Sequence, residues 1–330
     1  MGRIARCCLA GVLCAGFAAA AGAKPEPQKL ELRGRITGFG RMRMARVTLF
    51  GVDSPFAEST VTDLGGEFRF HSLQPGTYSL AVSRRSLGEV RRTVVVSAGL
   101  ADRKGSVHVT IRYSSTEAMA DKSAGTISRQ QLAVPKRAWN EFLSAQKRLA
   151  KRDADGAKQH LEKAVAIAPQ FSAAWNSLGV MAYQKSDLTE AEADFRKALA
   201  IEPNAFEPAV NLGGVLLGRG RLEEALQYNR QAVAARPRDA LANAQAGMTY
   251  FQMGDIDRAE PLLIAAQRAD PSHFSRPQLF LAMIYMERGD VDAARRELAD
   301  CIARHPDDPD TPRIRGQLRD LAARETTTAP

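Results

Sequence analysis

Two patterns of apolar spacing divide the chain. Between residues 29 and 113, apolar and β-branched residues alternate in short runs: LELRGRI, ARVTLFG, STVT, EFRF, TYSLAV, RRTVVV and VHVTIRY. Alternation at period two turns one face of each run toward a core, so each run predicts a β-strand. Turn formers separate them, at Asp63-Leu64-Gly65-Gly66, Gln74-Pro75-Gly76 and Ser97-Ala98-Gly99. Pro75-Gly76 suits the central pair of a type II turn, with Pro fixing φ and Gly taking a positive φ. About seven strands in this stretch predict a small antiparallel β-sandwich.

From about residue 138 the period lengthens and repeats. Proline recurs at Pro169, Pro203, Pro237, Pro271 and Pro306, spaced 34, 34, 34 and 35. Ala157, Ala191, Ala225, Ala259 and Ala294 keep the same spacing. So do Ala145, Gly179, Gly213, Gly247 and Ala282, and likewise Ala164, Ala198, Ala232, Ala266 and Cys301. Each period splits into two helical patterns joined by turns such as KSDLTEA, GRGRLEEA, MGDIDRA and RGDVDAA. The glycine column falls midway along the first helix, where a missing side chain lets the second helix approach. The first alanine column does the reciprocal job early in the second helix. The other alanine column lies seven residues on along the same stripe. The prolines end each second helix, since Pro cannot continue one and pushes its predecessor out of the α region.

On these residues the array resembles the tetratricopeptide repeat (TPR) family. LGVMAYQKSDLTEAEADFRKALAIEP (178–203) carries Trp175, Leu178, Gly179, Ala191, Phe195, Ala198 and Pro203 in the family's signature places. Tyr183 stands one place after the usual tyrosine. The third repeat has Ala209 at the leading aromatic place and Asn229 where Phe is typical. The resemblance implies five repeats, at 138–171, 172–205, 206–239, 240–273 and 275–308, with the first the most degenerate. Thr311-Pro312 reads as an N-cap with Pro at N1, opening a polar-faced capping helix over 309–325. The string TVTDLGGEFRFHSLQPGTYSLAV similarly resembles the carboxypeptidase regulatory-like domain, a prealbumin-type β-sandwich. Thr62, Asp63, Gly66, Phe68, Phe70, Leu73, Pro75, Gly76 and Tyr78 carry that likeness, which implies an accessory module without peptidase chemistry. The expected fold class is therefore multidomain β plus α: a seven-stranded antiparallel sandwich (29–113) followed by an all-α TPR solenoid of five helix pairs and a capping helix. Residues 114–137, rich in Ser, Thr and Ala, read as a flexible linker.

The first residues change the cysteine count. Arg3 and Arg6 precede an apolar run from Cys7 to Ala20, and Ala21-Gly22-Ala23 offers small residues for cleavage. Residues 1–23 read as a secretory signal peptide cut after Ala23, the rival being an uncleaved anchor. A lipidated Cys14 fits less well, because Leu13 stands where a small residue belongs. Of four cysteines the mature chain keeps only Cys301, so no internal disulfide is expected. Cys301 fills a place held by alanine elsewhere, which makes it a packing residue. After cleavage no second apolar run is long enough to span a membrane.

No catalytic constellation is present. His71, His108, His160, His273 and His305 stand at no metal-ligand spacing, and no nucleophile elbow or phosphate loop occurs. Glu223-Glu224 match the solvated face of neighbouring repeats. Neither an enzyme nor a cofactor is expected.

Charge is unevenly placed. The chain carries +9 overall, yet residues 24–113 hold 15 basic against 8 acidic residues and 138–330 hold 25 against 27. Arg41, Arg43, Arg46, Arg84, Arg85, Arg91 and Arg92 form a candidate patch on the sandwich for a lipid headgroup, an acidic polysaccharide or an acidic protein. The simpler reading, a solvated surface that blunts strand edges, is preferred to it. Nucleic acid is not expected, since the stacking aromatics of such binders are missing. The stripe along the first helices offers a second surface: Trp139, Phe142, Asn176, Val180, Tyr183, Val210, Leu217, Met248, Phe251, Met283 and Met286. It reads either as an adaptable groove for a protein or peptide segment or as packing against neighbouring helices. The expectation is an exported, non-enzymatic interaction scaffold of the bacterial envelope, periplasmic or extracellular. Alternatives are an attachment protein that binds glycan or lipid through the sandwich, and an accessory subunit of an envelope peptidase.

Overall fold

The structure, a computed structural model, describes residues 29–38, 44–84, 88–114 and 133–328. The expected signal peptide at 1–23 lies outside the described residues, as do Arg41, Arg43, Arg85 and most of the expected linker. Seven strands come first: β1 Leu30–Thr37, β2 Arg46–Gly51, β3 Ala57–Val61, β4 Glu67–Leu73, β5 Gly76–Arg84, β6 Gly88–Val96 and β7 Ser106–Arg112. They form two sheets, ordered β4-β1-β7 and β3-β2-β5-β6. Their inward residues close one core around Leu32, Leu49, Phe70, Leu80 and Val82. Inward positions on six of the seven strands enter it, as the period-two pattern requires, whereas the edge strand β3 adds none.

Two details differ from the sequence expectation. The sandwich is not wholly antiparallel: β1 runs parallel to β7, with Leu32 opposite Val107 and Ile36 opposite Ile111. These are the first and last strands, so no hairpin constrains their direction. Gly76 does not take a positive φ. It already pairs with Val96 in the β5–β6 ladder, which demands an extended backbone, and the left-handed residue is Ser72, at φ 55°. Gly34 has a clear reason to be glycine, since a Cβ there would lie 2.1 Å from the Phe68 ring.

Helices follow in pairs: α1 Lys136–Ala150, α2 Ala154–Ile167, α3 Ser172–Gln184, α4 Leu188–Ile201, α5 Phe206–Gly218, α6 Leu222–Ala235, α7 Ala240–Gln252, α8 Ile256–Ala269, α9 Pro277–Glu287, α10 Val291–Arg304 and α11 Thr311–Thr328. The recurring residues do what their spacing implies. A Cβ on Gly179 would meet the Phe195 ring at 2.6 Å, and one on Gly247 would meet Leu263 at 2.8 Å. Each second helix ends two residues before its proline. Asp153, Asp187, Asp255 and Asp290 cap four of the second helices, each carboxylate accepting a backbone N–H of the first turn. One residue ahead of each cap position the backbone is left-handed, at Arg152, Ser186, Gly220, Gly254 and Gly289.

Irregular repeats show their own solutions. Asn229, fully buried at the typical Phe place, donates from Nδ2 to Thr249 Oγ1 at 3.0 Å. Trp139 and Phe142 pack their rings on buried Phe171, with centroids 4.6 and 5.1 Å away. The longer last period places its extra residue before α9, where Arg276 takes φ 49° and binds Asp308 and Asp310. Cys301 is buried beneath α11 beside Ile314 and Leu321, and burial pushes its thiol up to about 11. Thr311 is the first residue of α11 and not its cap. Its hydroxyl donates to the His305 carbonyl, while the Asp310 carbonyl accepts the first helical bond.

Candidate functional site

The expected stripe on the first helices is only partly open. Val210 and Leu217 are buried between repeats, whereas Val180, Met248 and Phe251 are half-buried against the inter-repeat core. Phe251 meets Phe280 of the next repeat edge to face at 5.6 Å. Asn176 accepts a hydrogen bond from Asn211 Nδ2 at 3.0 Å, linking α3 to α5. Met283 is half-buried, and Tyr183 and Met286 remain exposed, at 45% and 37%. Much of the stripe thus serves packing, with exposed aromatic and thioether groups at intervals.

The sandwich lies against this array, and its contacts follow an ordered path. At the α1–α2 turn, Arg152 Nη2 donates to Tyr78 Oη at 3.0 Å, and its guanidinium sits 4.5 Å from the centroid of the Phe56 ring. Tyr78 in turn donates to the Gln74 carbonyl and meets Phe56 edge to face. At the end of α3, Gln184 Nε2 reaches the carbonyls of Gly51 and Ser54, both at 3.1 Å. Three further contacts belong to β6 and the residue after it. Arg91 faces Glu207 of α5 at 3.4 Å, the Thr93 N–H donates to Asp270 at 2.7 Å, and Ser97 Oγ donates to Asp307 at 3.1 Å. The path therefore crosses from the C-terminal ends of α1 and α3 to the N-terminal side of α5, α9 and α11.

Two physical demands meet in this contact. β6 is an edge strand, and an exposed edge invites pairing with other chains; here Asp270 takes up one of its free N–H groups. The slightly acidic array also answers the positive sandwich. Burial opposes the charge on Arg91, but the carboxylates of Glu89, Glu207 and Asp239 outweigh it and raise its pKa. Burial raises the pKa of Asp239, with Arg91 opposing. Burial would likewise raise Glu207, but Arg236 and Arg91 hold it below the usual carboxylate range.

The basic patch is dispersed by this arrangement. Arg91 is engaged by the solenoid, Arg92 donates to the Arg91 carbonyl, Arg46 is exposed on β2 and Arg84 is half-buried at the end of β5. Sequence reasoning missed Arg152, Gln184, Glu207, Asp270 and Asp307. The one available signal was Arg152 itself, which puts a long cation in a left-handed column otherwise held by Ser and Gly.

Comparison with known proteins bears on both halves. Residues 31–113 match the family model of the carboxypeptidase regulatory-like domain, and residues 142–304 that of the middle TPR-like domain of cilia and flagella-associated protein 70. Cellulose synthase operon protein C of Xanthomonas axonopodis pv. citri (strain 306) is 28% identical over 253 residues, covering 72% of this chain and 17% of that protein. The chain thus spans about a sixth of that relative's length. Among solved structures, PilW, a widely conserved type IV pilus biogenesis factor, aligns with TM-score 0.51 and 23% identity over 57% of this chain and 87% of PilW. PilF of Pseudomonas aeruginosa aligns with TM-score 0.49 and 22% identity, over 57% and 88%. The likeness to PilW shows the fold of the repeat array. Among the described residues no helix is long and apolar enough to cross a membrane.

Proposed function

Starting from a chain that joins a carboxypeptidase regulatory-like sandwich to a TPR-like solenoid, we propose that it is an exported, non-enzymatic interaction scaffold of the bacterial cell envelope. Its working surface is the first-helix face of the solenoid, and its partner is a protein or peptide segment. The observation that carries this reading is the use already made of that side of the array. Side chains at the ends of first helices and in the turns beside them grip backbone carbonyls, a strand-edge N–H and an arginine of the sandwich, the chemistry of segment recognition. Tyr183 and Met286 supply exposed, adaptable apolar groups on the same helices.

Photo-crosslinking residues at Tyr183 and Met286, compared with one at exposed Lys163 on α2, test the reading in the native envelope. A discrete protein adduct from the first two sites and none from the third is expected. Equal labelling from all three overturns it. N-terminal sequencing of the exported protein should begin at Lys24; Met1, or a lipidated Cys14, at the start contradicts cleavage after Ala23.

A further inference from the structure

The contact between sandwich and solenoid leaves the core of each domain closed. The described apolar clusters each lie wholly within one domain, the sandwich core on one side and the inter-repeat cores on the other. Beside the packing of α1 on β3, what joins the domains is polar: a guanidinium on a phenol and a ring, a side-chain amide on carbonyls, and three acidic side chains along one strand edge. Polar interfaces of this kind behave like transient protein–protein contacts, because neither core is opened when they part.

The three acidic contacts are ordered. Moving along the chain from Arg91 to Thr93 to Ser97, the solenoid partners move from Glu207 to Asp270 to Asp307. The contacting residues of β6 and its extension thus run along successive repeats. The solenoid reads a basic side chain, a backbone donor and a hydroxyl in turn, and all three are donors. Any extended segment with an arginine followed by a free edge N–H presents the same groups.

We propose that the sandwich is a displaceable ligand of its own solenoid: β6 closes the first-helix face in cis, and a partner reaches that face as an extended, arginine-bearing strand that takes over the contacts of β6. The inference rests on the reading of this face as the working surface and names the chemistry of its partner. A face free for only a tenth of the time binds about tenfold more weakly than an open one, so cis occupancy sets the apparent affinity.

The test uses the full chain with Cys7, Cys8 and Cys14 replaced by alanine, and a fluorescent, end-blocked peptide of residues 88–97, GEVRRTVVVS. Arg91→Glu opposes Glu207 and Asp239 and should release the sandwich, read as a rise in radius of gyration by X-ray scattering. Ser97→Cys with Asp307→Cys, joined by a short cleavable bis-maleimide, holds it closed. Peptide anisotropy should show binding at least about fivefold tighter to Arg91→Glu than to the parent chain, none to the crosslinked form, and recovery on cleavage. Unchanged scattering in Arg91→Glu, no tighter binding once it opens, or full binding by the crosslinked form each overturns the proposal. Envelope adducts at Tyr183 with no peptide binding refute only this inference. Peptide binding without envelope adducts refutes the scaffold reading and leaves the latch standing.

Discussion

The sandwich and the solenoid each bury apolar faces, but over different distances along the chain. In the sandwich, β1 must find β4 and then β7, so its core closes only when remote strands are in register. In the solenoid, each helix packs chiefly on the one before and the one after it. The first arrangement makes one indivisible unit; the second makes a chain of neighbouring units whose stabilities add locally. That difference teaches where damage should spread.

Two glycine substitutions sharpen it most. Gly34→Val drives a side chain into Phe68, and Gly179→Val drives one into Phe195. Each should cost about 2–3 kcal/mol or more, since both rings are buried and cannot yield freely. Hydrogen exchange should then rise through all seven strands for Gly34→Val. For Gly179→Val it should rise in α3, α4 and their neighbours and spare α9 to α11. Uniform loss of protection along the whole array would break the comparison.

Acid provides the next largest effect, and it falls on the solenoid. Burial holds His273 down to about 4, against 6.5 for a free imidazole, with Asp270 opposing. The Ser275 N–H donates to its Nδ1, which favours the neutral ring. Below pH 6.5 the unfolded chain takes up a proton that folded His273 refuses, so stability falls as pH drops. Between pH 7.5 and 4.5 the loss is on the order of 2–3 kcal/mol. His305 is depressed too, chiefly by burial, and adds in the same direction. Urea unfolding of His273→Gln should show a shallower pH dependence than the parent chain; an identical slope would remove His273 from the account.

A smaller effect probes the join between the two regions. Arg152 holds a left-handed backbone where the last three repeats have glycine, a conformation that costs an L-residue about 1–2 kcal/mol. Arg152→Gly relieves that strain and removes the grip on Tyr78 and Phe56. The solenoid should gain up to about 1 kcal/mol, while the sandwich separates at lower salt. Differential scanning calorimetry over a salt series reads both. A solenoid weakened by the change would show that Arg152 serves the repeat and not the join.

These contrasts also explain what could be read from sequence. The repeat contacts recur at fixed separations, so Gly179, Gly213 and Gly247 announce the same close approach three times over. The strands announce themselves by alternation, and all seven lie where it points. Partners used once leave no such trace. The parallel pairing of β1 with β7 has no local signature, and Gly76 could not reveal that its ladder partner is Val96. The cross-domain contacts are more remote still, joining Arg91 to Glu207, Thr93 to Asp270 and Ser97 to Asp307 across 116, 177 and 210 residues. The uneven charge foretold attraction to something acidic, though not that part of it lies in the same chain. For the first-helix stripe, spacing located the residues but did not separate those that pack, such as Val210, from those that stay exposed, such as Tyr183.

The central claim is that the β6 edge rests on the solenoid through a polar contact that can open while both domains stay folded. Amide exchange of Thr93 in the intact chain, followed from low salt to about 1 M, tests it most directly, because salt weakens such contacts and leaves apolar cores in place. Thr93 should be protected at low salt and lose that protection as salt rises, while Leu80 within the sandwich core keeps its own. Fast exchange of Thr93 at every salt concentration, or loss of protection only when Leu80 loses it too, would contradict the claim.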